Sequence, residues 1–235
     1  LKLLAVILIW GIAPPIIKYT LTFFPADIFL TYRFFISSLI MIPILSLLEK
    51  DWLTKLHHLP TSAWVALIIN GILGSTIQIG FLFWGLEYTS AIEGSIINAL
   101  SPILVAIAGY FYLHEKITPK EKLGLLIAFI GSVIIVINPG HNFRVFNFGN
   151  SLIFAGTLAW AIFTVISKKH LRLHLSPLFL TTFMFFVGFL SMSIITLILN
   201  FKFQISNYFL SAPISAHLGV IYMAIMSGSL AYFLY

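Results

Sequence analysis

Eight apolar runs, each about as long as a lipid hydrocarbon core is thick, leave this chain few ways to fold. They lie at 2–19, 26–48, 62–86, 90–113, 119–138, 149–168, 176–200 and 214–235. A helix needs about 20 residues to cross ~30 Å of hydrocarbon. Residues that stop or start helices separate the runs: Phe24-Pro25, Leu59-Pro60, Thr118-Pro119, Asn138-Pro139-Gly140 and Ser176-Pro177. The runs are too long for barrel strands and lack their polar–apolar alternation. An all-α integral membrane bundle is therefore predicted. Only 9% of the 235 residues are charged and 60% are hydrophobic, against about 25% charged in soluble domains. A soluble core of this size has no place for so much apolar surface.

The formal net charge is +6. It points to topology and not to a nucleic-acid partner, because the basic residues sit in short loops between the runs. With the N-terminus in the cytoplasm, that side holds Lys2, Lys50, Lys55, Lys116, Lys120, Lys122, Lys168, Lys169 and Arg172. The far side holds Lys18, Arg144 and Lys202, and Arg33 lies inside a helix. This asymmetry predicts a cytoplasmic N-terminus. The absence of cysteine removes disulfides, thiol catalysis and cysteine-ligated metal. The chain begins at Leu1 and stops at Tyr235 inside an apolar run, so it reads as a fragment. The first run does not read as a cleaved leader, since it contains Pro14-Pro15 and a related segment recurs later.

That recurrence has a shift of about 150 residues. Leu8-Ile9-Trp10-Gly11 through Ile16-Ile17-Lys18 matches Leu158-Ala159-Trp160-Ala161 through Ile166-Ser167-Lys168, and Pro25 falls near Pro177. Ser75-Thr76 with Gly80-Phe81-Leu82-Phe83 matches Ser227-Gly228 with Tyr232-Phe233-Leu234-Tyr235. Five spans separate the first helix from the sixth, an odd number, so the two copies insert with opposite orientation. Inverted repeats of this kind build many secondary transporters. Two inverted five-helix repeats are predicted, the first over 1–140 and the second over 149–235. Ten helices are expected, of which about eight lie in this fragment.

Residues 71–137 carry a family resemblance. They contain Gly71-Ile72-Leu73-Gly74, then Gly85-Leu86-Glu87-Tyr88-Thr89-Ser90-Ala91, then Ala99-Leu100-Ser101-Pro102. Leu113-His114-Glu115-Lys116-Ile117-Thr118-Pro119, Leu123-Gly124 and Gly131 follow. This pattern resembles the EamA-like permeases of the drug/metabolite transporter superfamily; the second half resembles them more weakly, through Trp160 and Ser227–Tyr235. His114 stands where the family usually has Gly. The resemblance implies ten helices in two inverted halves and cytoplasmic termini in a bacterial inner membrane. It also implies export or exchange of amino acids, related metabolites or drugs, without fixing the substrate. No cofactor is expected, and the partners are a small-molecule substrate and the bilayer.

Arg33 is the sharpest site candidate. It lies about seven residues into the second helix, ~10 Å deep at 1.5 Å per residue, where a guanidinium is expensive and usually paired or functional. It either grips a substrate carboxylate or snorkels to the headgroups; both readings stay open. Gln78, Asn98 and Ser101 fall at membrane depth, where polar groups bond neighbouring helices or line a cavity. Asn98 and Ser101 share a face, and Pro102 frees a carbonyl beside them. Trp10, Trp160 and Tyr232 are candidate cavity walls, set against ordinary bilayer packing. Glu93 is a proton-coupling candidate, set against a solvated glutamate at a helix start. Pro14-Pro15 predict an interrupted or kinked first helix. Gly124, Ala128 and Ser132 make a small-residue face on the fifth helix, suited to close packing and a candidate homodimer interface.

A secondary carrier fits these features. No Walker A sequence is present. An intramembrane enzyme would need paired acids or a histidine cluster at depth, a channel a ring of acids or a carbonyl filter, and a non-transporting assembly factor no polar path.

Overall fold

The computed structural model describes residues 2–137, 147–171, 175–199 and 205–231, and among them the regular structure is helical throughout. Helices α1 (Lys2–Thr20) and α2 (Ala26–Leu48) match the first two apolar runs. The short α3 (Trp52–His57) lies in the loop before the third. The third run is one rod, formed by α4 (Thr61–Gly71), a π-helical segment (Ile72–Ile77) and α5 (Gln78–Tyr88). The fourth is α6 (Ala91–Asn98) and α7 (Ser101–Leu113), and the fifth is α8 (Pro119–Ile137). Then come α9 (Phe148–Leu171), α10 (Pro177–Leu199) and the short α11 (Ile205–Ser211). The chain closes on α12 (Ile214–Tyr222), which runs into a second π-helical segment (Met223–Leu230). Among the described residues, five helices are long and apolar enough to cross a membrane: Ala26–Leu48, Thr61–Tyr88, Ala91–Leu113, Phe148–Lys168 and Pro177–Leu199. Leu4–Thr20 and Ile214–Leu230 are shorter apolar helices.

The expected interruption at Pro14-Pro15 does not occur, since α1 stays helical through both prolines. The irregularities fall elsewhere. The fourth span breaks at Ala99–Leu100, just before Pro102, which has no N–H to offer the carbonyl of Asn98. The two π-helical segments begin at Ile72 and Met223, 151 residues apart (223 − 72), close to the shift of the sequence repeat.

Packing follows the same correspondence. Helix α5 lies along α9 and α10 along α2, and the second π-helical segment rests on α1 and α2 as the first does on α9 and α10. Phe24, Phe29, Phe34, Phe83 and Phe185 are fully buried in the main core between these helices. Glycines set the closest approach. A Cβ on Gly149 would sit 2.6 Å from the Gly85 carbonyl oxygen, and one on Gly156 would sit 2.9 Å from that of Gln78. The small-residue seam is thus between α5 and α9. On α8, nothing among the described residues lies within 4 Å of a Cβ at Gly124.

Side chains fasten the helix ends. Ser90 and Glu93 form a reciprocal capping box at the start of α6. The Lys18 ammonium donates to the carbonyls of Leu86 (2.6 Å) and Glu87 (3.3 Å), satisfying the end of α5 and complementing its dipole. Glu87 Oε1 accepts the Ala26 N–H at 2.7 Å, at the start of α2. One end of the bundle therefore gathers Lys18, Ala26 and Glu87. The other gathers Glu49, Lys55, Ser176, and the Glu115–Lys168 ion pair. His114, the departure noted in the family pattern, is the only non-glycine residue with positive φ among the described residues. It ends α7 at φ 55°, ψ 34°, a left-handed C-terminal cap that glycine adopts most readily.

Candidate functional site

A cavity of about 170 Å³ lies between α1, α2, α5, α6, α7, α9 and the second π-helical segment. Six of the residues singled out from the sequence line it: Trp10, Arg33, Gln78, Asn98, Ser101 and Trp160. Tyr232 lies outside the described residues. The walls are completed by apolar side chains, among them Ile17, Leu82, Phe83, Leu86 and Met223, and by Ser95 and Ser227.

Arg33 is 3% exposed and stands on the cavity wall. Its guanidinium carbon stands 5.5 Å from the Phe83 ring centroid and 5.6 Å from that of Phe34. Both are cation–π distances in a desolvated setting. Gln78 is 8% exposed and its Oε1 has no hydrogen-bond partner among the described residues, an unusual state for a buried polar atom. Asn98 and Ser101 flank the break in the fourth span. Asp27, which its position near the start of α2 places toward the surface, is 5% exposed.

Trp10 and Trp160 meet edge to face, with centroids 6.4 Å apart. Trp10 Nε1 donates to the Ser227 carbonyl at 3.0 Å. That carbonyl belongs to a π-helical segment, where the hydrogen-bond ladder shifts register and carbonyls turn outward. The neighbouring Ala224 carbonyl accepts from the hydroxyls of Ser37 (3.1 Å) and Ser229 (3.0 Å). In the first π-helical segment, Ser75 donates to the Gly71 carbonyl at 2.7 Å and Thr76 bonds Ser191 on α10.

Glu93 stands off the cavity wall. It accepts from the Thr89 hydroxyl and from Ser90 N, and Thr89 also bonds the Asn150 side chain at 2.7 Å. The carboxylate thereby ties the start of α6 to the start of α9. Ser95, Ser227 and the capping by Lys18 were not singled out from the sequence. Only the repeat match at Ser227 pointed toward any of them.

Three comparisons bear on this arrangement. The model of the family described as EamA, EamA-like transporter family, matches residues 1–137 and 147–235. The chain is 30% identical to "Uncharacterized transporter YyaM" of Bacillus subtilis (strain 168), over 92% of this chain and 68% of that protein. It is also 30% identical to "Uncharacterized transporter YetK" of the same organism, over 86% of this chain and 60% of that protein. The chain thus spans about two thirds of the length of these relatives. A solved crystal structure superposes with a TM-score of 0.69 at 19% identity, covering 98% of this chain and 75% of the other, which is a likeness of fold.

Proposed function

The chain belongs to the EamA-like transporter family, and on that premise we propose that it is a secondary carrier exporting or exchanging small metabolites, most simply amino acids or related compounds. It is a multi-pass integral membrane protein. In this reading the inverted repeats over 1–140 and 149–235 rock about a central site by alternating access. The membrane is a bacterial inner membrane, and the Lys-rich Glu49 end faces the cytoplasm.

The observation that carries the proposal is Arg33, buried on the wall of a cavity to which both repeats contribute. An anionic group on the substrate would replace the lost hydration of the guanidinium with charge-assisted hydrogen bonds. Gln78, Asn98 and Ser101 supply neutral polar contacts, and Trp10, Trp160 and Leu82 supply an apolar wall. That mixture suits a small molecule with a carboxylate at one end and an apolar body.

The test is counterflow in proteoliposomes bearing the full-length protein. The labelled panel holds aromatic, aliphatic and hydroxy amino acids, a nucleoside and a cationic drug. Accumulation of an amino acid is expected; accumulation of none of these compounds by folded, inserted protein overturns the carrier reading.

A further inference from the structure

Four side-chain oxygens among the described residues are buried without a hydrogen-bond partner: Thr20 Oγ1, Ser38 Oγ, Asn70 Oδ1 and Gln78 Oε1. Of the four residues, only Gln78 lines the cavity. The helix that carries it sets this direction. Gln78 opens α5, Leu82 and Leu86 follow on the same face one and two turns on, and all three line the cavity. A buried carbonyl oxygen without a donor costs free energy, and folded proteins hold few of them. Packing does not require one at this position, since methionine has the same length and no amide to satisfy.

The described wall supplies no donor to this oxygen. The Ser95 hydroxyl donates to the Ala91 carbonyl at 2.7 Å, and the Trp10 indole to the Ser227 carbonyl at 3.0 Å, so neither is left for Gln78. Arg33 is the one residue with a full charge among the described residues of the lining, and it suits an anionic group. A ligand that fills the space either brings a second group, a donor, to Gln78 or leaves its oxygen orphaned.

We propose that Gln78 is the specificity residue of this site. Its carbonyl oxygen accepts an N–H or O–H from the substrate, so the site takes α-amino or α-hydroxy carboxylates and rejects the plain carboxylate of the same skeleton. The inference rests on the carboxylate-binding reading above and deepens it. Arg33 reads the acid, which all three kinds of compound share, and Gln78 reads the neighbouring donor, which the plain acid lacks. The volume of about 170 Å³ is below the ~300–1,000 Å³ of drug-sized pockets, so both groups belong to one small molecule. The last torsion of a glutamine side chain is broad, which lets the oxygen follow either an ammonium or a hydroxyl. A buried polar group left unpaired rejects a ligand far more strongly than a missing methylene in an apolar pocket does.

The test is calorimetric titration of the full-length protein in detergent. The ligands are the amino acid, the hydroxy acid and the unsubstituted acid built on the skeletons of alanine, leucine and phenylalanine. On the skeleton that binds best, the wild-type protein is expected to bind the amino or the hydroxy acid about 5–150-fold more tightly than the plain acid. Whichever of the two binds more tightly identifies the donor as ammonium or hydroxyl. Gln78→Met keeps the length of the side chain and removes the acceptor. The preference is then expected to fall to within about three-fold, through weaker binding of the donor-bearing compound while the plain acid holds or tightens. Gln78→Glu keeps an acceptor in place, and the preference is expected to persist.

A purely structural role for Gln78 would weaken all the compounds together in Gln78→Met, and that result overturns the assignment. So does the absence of any preference, or of any binding, in folded wild-type protein. Should the methionine variant not fold, the glutamate variant carries the test, and loss of the preference there overturns the assignment as well. Counterflow in proteoliposomes is scored separately. Preference without transport leaves the assignment standing and refutes the carrier reading, and transport without preference refutes the assignment alone.

Discussion

Replacing Arg33 with glutamine tests the proposed site at its most charged point. The substitution keeps a hydrogen-bonding side chain of similar reach and removes the charge. Arg33 is 3% exposed and packed against Phe83 and Phe34, so a substrate carboxylate meeting it is largely desolvated. A hydrogen bond to a charged group contributes about 1.5–3 kcal/mol, and each 1.4 kcal/mol is tenfold in affinity. A carboxylate substrate should therefore bind about 10–150-fold more weakly to the variant. The corresponding carboxamide, with the same shape and no charge, should change by less than about three-fold, since its contacts with Gln78, Asn98 and the tryptophans remain. Competition against labelled substrate in counterflow gives both numbers on one preparation. Equal losses for acid and amide would mean that Arg33 shapes the cavity without reading charge. No loss for either would remove Arg33 from the site.

Three further substitutions test the packing and the caps. Gly149→Ala forces a methyl to within 2.6 Å of the Gly85 carbonyl oxygen and should cost about 1–3 kcal/mol, read as a lowered melting temperature in detergent; Gly124→Ala, with open space around it, is the control and should stay within about 0.5 kcal/mol. His114→Gly relieves a left-handed residue at φ 55°; the strain relieved, about 1–2 kcal/mol, exceeds the added chain entropy of glycine, so a net gain of about 0.5–1 kcal/mol is expected in the same assay. Glu93→Gln keeps an acceptor for Ser90 N and Thr89, so accumulation driven by an imposed pH gradient should be unchanged; its abolition, with counterflow intact, would make Glu93 the coupling carboxylate.

The helices were legible in the sequence because the length of an apolar run is a one-dimensional quantity set by bilayer thickness. The run at 26–48 is α2 to the residue, and that at 119–138 is α8 to within one. The cavity residues were legible for a related reason. A polar or charged side chain at membrane depth is costly, so Arg33, Gln78, Asn98 and Ser101 stood out, and all four line one space. Glycine was less readable. A Gly–Ala–Ser face on α8 and the Gly85, Gly149 and Gly156 seam have the same composition. Only the partner helix decides which is used, and sequence spacing along one helix does not contain the partner. Glu87 and Lys18 were equally opaque, because each acts on backbone groups of a helix distant in sequence. His114 was visible as a departure from the family pattern, but its meaning required φ.

The two π-helical segments show where side-chain reasoning stops. Nothing in Ile72–Ile77 or Met223–Leu230 predicts a shifted hydrogen-bond ladder, which is less favourable than the α-helix in isolation. Both arise where tertiary contacts compensate for it. Gly188 admits the Ser75 side chain, and Gly228 lies against the Ser37 hydroxyl, which itself donates to the Ala224 carbonyl. The products of this distortion are backbone carbonyls turned toward other helices, and one of them receives the Trp10 indole at the cavity floor. A carbonyl acceptor carries no sequence signature and survives most substitutions of its own side chain.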